Sequence, residues 1–293
     1  MDTIFSLNGS IVPPERAVVP ITDRGFLYGD GLFETMHAYG RVLFRMHEHL
    51  DRLGDGARRL HMKPAPNLKQ LAAWLQAAVD AAGFDEANVR LTYTRGTGQR
   101  GPSLKGAFKP NIAIMVTRFH RPAEKTVLKG ATAVMASFRR QESAVTASLK
   151  TLNYIEQILA RDEADAAGAD EALMLNNAGL LCEGSASNIS LIREGVLLIP
   201  DPARVGALPG IAQLTAIEAA RKLKIPVAMT ALSPWDPAQC REAFLSGSMR
   251  EISPLVRVGS TIVGDGKPGP LTLKIIQEYR RIVARECRPF RFP

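Results

Sequence analysis

Leu32-Phe33-Glu34-Thr35-Met36-His37-Ala38, Tyr39-Gly40-Arg41 and Val42-Leu43-Phe44-Arg45-Met46 follow one another without a break. Two runs of strand-forming residues around a glycine-centred turn predict a hairpin over 32–46. Directly behind it, residues 47–60 place Leu50, Leu53, Ala57 and Leu60 at helical spacing. The same grammar extends in both directions. Thr3–Leu7 and Ser10–Val12 flank Asn8-Gly9, a type I′ hairpin signal. Residues 67–82 read as a second helix, and 88–94 and 112–117 as strands around a glycine-rich loop, 95–106. His120-Arg121-Pro122-Ala123-Glu124-Lys125 reads as a linker. Beyond it, 131–138 is a strand, a polar stretch leads to Lys150, and 153–167 is a helix with Ile155, Ile158 and Leu159 on one face. Short strands are expected over 171–175, 180–183, 188–192 and 196–199. Leu208-Pro209-Gly210 then opens a helix to 223, strands follow near 243–245 and 255–258, and a helix covers 271–286. Strands and helices are grouped rather than strictly alternating. That makes the class α+β, in two domains at 1–119 and 127–293 with the linker over 120–126.

The 293 residues suffice for two well-buried cores, and 46% hydrophobic with 23% charged residues is ordinary globular composition. No run of 18 apolar residues is present to span a bilayer, and the N-terminus lacks the basic start and apolar core of a secretory signal. Cys182, Cys240 and Cys287 are odd in number and far apart. That argues against a disulfide framework and makes a reducing cytoplasm the expected location. The net charge of +8 is mostly dispersed. Its one dense cluster, Arg280, Arg281, Arg285, Arg288 and Arg291, reads as the solvated face and frayed end of the last helix. A basic nucleic-acid-binding protein is the rival from another class, and no recognition motif accompanies the cluster.

Several residues could carry chemistry. Lys150 lies at an element end between Leu149 and Thr151-Leu152. A partly desolvated amine there would be a nucleophile for Schiff-base formation, against the commoner solvated lysine. Glu183 follows the apolar Leu180-Leu181-Cys182 and precedes a small-residue loop at 184–188. Arg52 sits beside the buried face of its helix, where its fork of donors could hold a phosphate or pair with a neighbouring acid. Leu208-Pro209-Gly210-Ile211-Ala212 runs into a helix start, and Ser246-Gly247-Ser248 is a second small polar loop; either could bind an anion. Gly29-Asp30-Gly31 lacks the remainder of a dinucleotide fingerprint. His47 and His49 could share a strand face as metal ligands, but no third ligand is evident, so no metal is expected.

Taken in order, these motifs resemble the fold-type IV pyridoxal 5'-phosphate (PLP) enzymes, which include branched-chain and D-amino-acid aminotransferases and 4-amino-4-deoxychorismate lyases. The resemblance runs from Asp23-Arg24-Gly25-Phe26 through residues 49–53, Lys150-Thr151-Leu152-Asn153-Tyr154, Glu183-Gly184-Ser185 and Leu208-Pro209-Gly210-Ile211 to the segment 246–254. It implies a smaller N-terminal α/β domain and a larger C-terminal mixed-sheet domain with PLP between them, in a homodimer. It implies that Lys150 forms the Schiff base and shuttles the proton, and that Glu183 pairs with the pyridine nitrogen. Arg52, Ile211, Ala212 and Ser248 would hold the phosphate, with Tyr154 and Ser185 beside the cofactor. Phe33, His37, Arg100 and Met249 would meet the substrate. Glu251-Ile252-Ser253-Pro254 is similar to the aminotransferases. Phe33-Glu34-Thr35, Arg95-Gly96-Thr97-Gly98-Gln99-Arg100-Gly101 and Asn153-Tyr154-Ile155-Glu156-Gln157 are similar to the lyases. The expected activity is therefore transfer of an amino group between a branched-chain-like or D-amino acid and a 2-oxo acid. The alternative is release of 4-aminobenzoate and pyruvate from aminodeoxychorismate. Neither involves nucleic acid or a membrane.

Overall fold

The computed structural model of the chain describes residues 2–106 and 109–292. The chain forms two compact units. One runs to His120 and takes back Leu149–Asn153 and the tail from Val283; the other holds Arg121–Ser148 and Tyr154–Ile282.

The first unit is built on strands β1 (Thr3–Leu7), β2 (Ser10–Val12), β3 (Gly31–Tyr39), β4 (Val42–Leu43), β5 (Glu86–Thr94) and β6 (Ile112–Arg118). They form one antiparallel sheet in the order β2-β1-β6-β5-β3-β4. Asn8 and Gly9 have φ 52° and 87°, the positive pair that a type I′ turn requires. The helices are α1 (Arg24–Tyr28), α2 (Met46–Arg59) and α3 (Leu68–Ala82). Leu32, Met36 and Ala38 of β3 share a core with Leu50, Leu53 and Ala57 of α2 and Leu71, Leu75 and Ala78 of α3. The predicted hairpin is present, but its second strand is only Val42–Leu43. Arg45, at φ 55°, turns the chain out of the strand and into α2. Segment Leu149–Asn153 lies along β3. Phe33 N–H donates to the Lys150 carbonyl at 3.0 Å, and Leu152 N–H donates to that of Gly31 at 3.0 Å.

The basic tail differs from the frayed end expected of it. Phe290 and Phe292 pack on Tyr39 with ring centroids 5.2 and 6.0 Å away. Arg281 and Arg285 pair with Glu278 and Glu286. Burying aromatic surface offsets the entropy that a frayed end would keep, while Arg281 and Arg285 stay exposed at 71 and 51%, as a solvated helix face requires.

The second unit begins with α4 (Glu124–Lys129), a helix where the sequence suggested a linker, followed by β7 (Ala131–Arg140) and α5 (Ile155–Ala166). Strands β8 (Glu171–Asn176), β9 (Leu181–Gly184), β10 (Asn188–Arg193) and β11 (Val196–Pro200) precede α6 (Pro202–Val205) and α7 (Ile211–Lys222). Next come β12 (Val227–Thr230), α8 (Asp236–Gln239), β13 (Glu242–Gly247), β14 (Glu251–Val258), β15 (Thr261–Ile262) and α9 (Pro270–Glu286). The sheet order is β12-β11-β10-β13-β14-β7-β8-β9, with β15 on β14. It is mixed: β11–β12, β14–β7 and β7–β8 run parallel, the other pairs antiparallel. α5 buries Ala160 and Ala164 and leaves Ile155, Ile158 and Leu159 at 67, 57 and 51% exposure.

The three cysteines are free and buried. Burial pushes the Cys182 and Cys287 thiols up to about 12 and that of Cys240 to about 11. Among the described residues no helix is long and apolar enough to cross a membrane.

Candidate functional site

Lys150 is held at the edge of β3 by the backbone pairing above, and its Nζ lies 4.4 Å from the centroid of the Phe33 ring. Arg90 of β5 shares that ring, with Cζ 3.9 Å from the centroid. On the opposite face of β3, Glu34 is buried and accepts from Arg52 Nε at 2.9 Å and Nη2 at 2.6 Å. Its second oxygen is also 2.7 Å from His49 Nδ1. Burial would raise the Glu34 carboxyl; the Arg52 charge and the His49 hydrogen bond outweigh it and bring it to about 2. Burial, against the pull of Glu34, lowers His49 below its ordinary value. His49 is therefore neutral at pH 7, donates from Nδ1, and helps fix the plane of the carboxylate that orients Arg52. The bidentate contact uses two of the five guanidinium donors. His47 and His49 lie on a helix rather than a strand, so two residues apart they point to different sides. Among the described residues no group of three His, Cys, Asp or Glu is placed to hold a metal.

His37 stacks on Tyr39 at 3.8 Å and sets Nε2 3.0 Å from Glu86 Oε2. His37 Nδ1 and Asn88 Oδ1 are buried without a hydrogen-bond partner among the described residues. Asn88 is the cross-strand neighbour of His37. Such unpaired atoms cost about 1–3 kcal/mol each, so the face they occupy is one that a ligand or water would satisfy.

The glycine-rich loop is tied down at its base. Asp30 accepts from Arg24 Nε at 2.8 Å and Arg95 Nε at 2.8 Å, and burial, which raises its pKa, is outweighed by those arginines, so it is lowered. Arg24 Nη1 donates to the carbonyls of Gly101 at 3.0 Å and Ser103 at 3.1 Å. Arg100 stands exposed on that loop.

In the second unit, Glu183 is the third residue of β9. One oxygen is paired with Arg140 Nη1; the other accepts from Leu208 N–H at 2.9 Å and faces Asn188 Nδ2 at 3.4 Å. Burial disfavours the Arg140 charge, but Glu183 outweighs it and the guanidinium pKa rises. Asn188 also donates to the Leu208 carbonyl at 2.8 Å. A Cβ at Gly210 would come within 1.9 Å of Asn188 Oδ1, so a larger residue there would have to displace the Asn188 amide. Gly210 caps α7 with no side-chain bond, which leaves the first N–H groups, those of Ile211 and Ala212, to an outside acceptor. Asn188 is in register with Ser246, which brings the 246–250 segment, with Ser248 and Met249, beside the Glu183 loop. Ser185 turns elsewhere: its N–H, at 2.9 Å, and its hydroxyl both donate to buried Glu171. Tyr154 caps α5.

The structure thus gathers Phe33, Arg52 and Lys150 in one unit, and Glu183, the start of α7 and the 246–250 segment in the other. Sequence reasoning missed Glu34 and Arg140, which orient Arg52 and Glu183, and also Arg90 and Glu171. Glu34 could have been found as a charged residue at an inward position of a strand; nothing local marks the others. An aldehyde, a dianionic phosphate and a protonatable ring nitrogen require an amine, a fixed guanidinium with open N–H groups, and a carboxylate. All are present, so the donor set fits PLP.

The family model for amino-transferase class IV matches residues 31–258. A putative branched-chain-amino-acid aminotransferase of Methanocaldococcus jannaschii is 31% identical over 94% of this chain and 95% of its own length. A D-alanine aminotransferase of Listeria monocytogenes is 30% identical over 98% of both chains. Among solved structures, a T.th. branched-chain amino acid aminotransferase with pyridoxamine 5'-phosphate superposes with a TM-score of 0.91. It has 27% identity over 98% of this chain and 95% of that one. The 4-amino-4-deoxychorismate lyase of Pseudomonas aeruginosa superposes at 0.84, with 30% identity over 94% and 98%. The chain belongs to the class IV amino-transferase family.

Proposed function

We propose that this enzyme moves an amino group between an amino acid, branched-chain-like or of D configuration, and a 2-oxo acid, with PLP as cofactor. Bound PLP supplies an aldehyde that condenses with amines and a ring that takes up the electrons left when a proton departs. Lys150 Nζ removes that proton from the substrate carbon bearing nitrogen and later returns it. Glu183 holds a proton on the pyridine nitrogen, and Arg140 orients Glu183. Arg52, aligned by Glu34, binds the phosphate with the N–H groups of Ile211 and Ala212 and the hydroxyl of Ser248. Tyr154 flanks the cofactor, and Ser185 supports it through the loop it shares with Glu183. Phe33, His37, Arg100 and Met249 meet the substrate.

The observation that carries this reading is the fixed position of Lys150, with its backbone paired to β3 and its amine over the Phe33 ring. The lyase reading draws on the 30% identity to the lyase structure at a TM-score of 0.84, which a branched-chain aminotransferase of Thermoproteus uzoniensis equals in identity at a TM-score of 0.88. One side-by-side assay decides between them: 2-oxoglutarate with a panel of L- and D-amino acids, against aminodeoxychorismate. Turnover of aminodeoxychorismate alone would replace the transaminase reading. The proposal includes a homodimer, since Ile155, Ile158 and Leu159 form an apolar stripe on α5 that a second copy would cover. Sedimentation as a monomer at micromolar concentration would remove that part.

A further inference from the structure

We infer that Glu171 is a positioning residue that fixes the spacing between the two turns meeting opposite ends of the cofactor; this rests on the reading of Glu183 and Ser248 as the contacts at the ring nitrogen and the phosphate. Glu171 opens β8, its side chain is 1% exposed, and no step of the proposed reaction uses it. Residues 184–187 are wound around its carboxylate. One oxygen accepts from the Ser185 N–H at 2.9 Å, from the Ser185 hydroxyl and from the Ala172 N–H at 3.0 Å. The other accepts from the Ser187 hydroxyl at 2.7 Å. A Cβ at Gly184 would come within 2.5 Å of that hydroxyl and 2.9 Å of the Glu171 carboxyl carbon. Hydrogen bonds to a charged acceptor are about twice as strong as neutral ones, so the buried carboxylate holds the turn that begins one residue after Glu183.

The same carboxylate reaches the second turn. Arg250 Nη2 lies 3.7 Å from the oxygen that Ser187 bonds, and donates to the neighbouring Asp170 carbonyl at 3.0 Å. Arg250 closes the turn that carries Ser248 and Met249, its N–H donating to the Gly247 carbonyl at 3.1 Å. Glu251, the next residue, holds φ at 57° and is pinned there by Arg121 Nη1 at 2.8 Å. A side-chain-bearing residue persists in that left-handed region only where its surroundings over-determine it. The turn is rigid within itself, so a tie at Arg250 is a tie at Ser248. The two turns also meet directly: a Cβ at Gly247 would stand 3.2 Å from the Ala186 carbonyl oxygen.

A rigid, two-ended ligand gains from such a tie. Once one end is bound, the other meets its own site at high effective concentration, provided that the two sites stand at the ligand's own spacing. Loosening the tie therefore costs little at either site taken alone and much for a ligand that spans both. Glu183 is held separately, by Arg140, Leu208 and Asn188, so the ring contact survives loss of the tie.

The test uses the full chain as wild type, Glu171→Gln, Arg250→Met and Arg250→Lys. On dilution of the holoenzymes into PLP-free buffer, Glu171→Gln and Arg250→Met should release PLP at least ten-fold faster than wild type. In the apoenzymes, calorimetric titration compares 4-deoxypyridoxine 5'-phosphate, which lacks the aldehyde and so leaves Lys150 out, with its two halves, 4-deoxypyridoxine and inorganic phosphate. Both variants should bind the whole ligand at least ten-fold more weakly, and each half within two-fold of wild type. Arg250→Lys should recover part of the loss, since it keeps the charge without the fork. An unchanged affinity for the whole ligand, or halves that weaken as much as the whole, overturns the inference and leaves the network a role in stability alone. The Arg250 side chain is 28% exposed, so its variants decide the matter if Glu171→Gln does not fold. Glu183→Gln and Ser248→Ala check the premise. If neither weakens its own half, 4-deoxypyridoxine and phosphate respectively, the placement of Glu183 and Ser248 is overturned and the inference with it. If both do, a failure at Glu171 and Arg250 falls on the inference alone.

Discussion

The molecule contains two carboxylate–arginine pairs built to different ends. Glu34, whose side chain is 1% exposed, gives one oxygen to Arg52 and the other to both Arg52 and His49. Glu183, at 10%, gives one oxygen to Arg140 and sets the other against neutral donors, the Leu208 N–H and Asn188. The first carboxylate is enclosed by cationic and ring donors, so its work is to orient them. In the second, neutral donors compensate less of the charge on their oxygen, and that charge can act on a protonated ring. In the function proposed here, the same residue types serve as scaffold in one place and as chemistry in the other, and the charge of their donors distinguishes the two.

Lys150 sets the largest expected effect. Lys150→Ala should lose nearly all turnover together with the visible band and any borohydride-reducible link to PLP, while the melting temperature barely moves. A reducible link surviving in that variant would place the reacting amine elsewhere.

The enclosed pair should fail in stability. Glu34→Gln leaves the Arg52 charge without its counterion, a loss of about 3–5 kcal/mol in urea unfolding. The pH dependence has a definite sign. Because the Glu34 carboxyl is brought from 4.5 to about 2 on folding, its contribution is present above pH 4.5 and is lost as pH falls towards 2. That contribution is about 3 kcal/mol in the wild type and should be missing from the acid limb of the variant. Identical acid limbs would contradict the enclosed geometry.

The open pair should fail in rate. Glu183→Gln should keep PLP bound and slow proton abstraction about 10²-fold, with a smaller loss of stability than Glu34→Gln, because Arg140 keeps Glu156 as a second partner. If Glu183→Gln unfolds the protein and Glu34→Gln only slows it, the contrast between the two pairs is reversed. The smallest effect is expected at Arg100. Arg100→Ala should lower kcat/KM about ten-fold with an unchanged cofactor spectrum, and wild-type kinetics would return the residue to the solvated surface.

The parts of the fold legible in the sequence are those with local causes. The β1–β2 turn is written in Asn8-Gly9, and α2 in the spacing of Leu50, Leu53 and Ala57. The four-residue elements β12, α6 and α8 are too short to show a period. The exposed Ile155, Ile158 and Leu159 follow the helical rule, yet the helix packs through Ala160 and Ala164. Periodicity locates an apolar stripe; it does not say what covers it. At the site, Lys150, Arg52 and Glu183 are singled out by the family resemblance of the motifs around them; their positions in elements alone suit a solvated side chain as well. The groups that aim Arg52 and Glu183 are not marked as such, because Glu34 and Arg52 are 18 residues apart and Arg140 and Glu183 are 43 apart. The packing of α2 against β3 and the strand order β7-β8-β9, rather than neighbouring sequence, make those pairs.

The buried thiols have a practical consequence. Cys182, Cys240 and Cys287, raised to about 12, 11 and 12, hold almost no thiolate at neutral pH and expose at most 3% of their surface to a reagent. The native protein is therefore a silent background for maleimide and iodoacetamide. A single cysteine placed at an exposed position, such as Lys105 on the glycine-rich loop, could carry a fluorophore without first stripping the natural ones. Movement of that loop during turnover could then be followed directly by light.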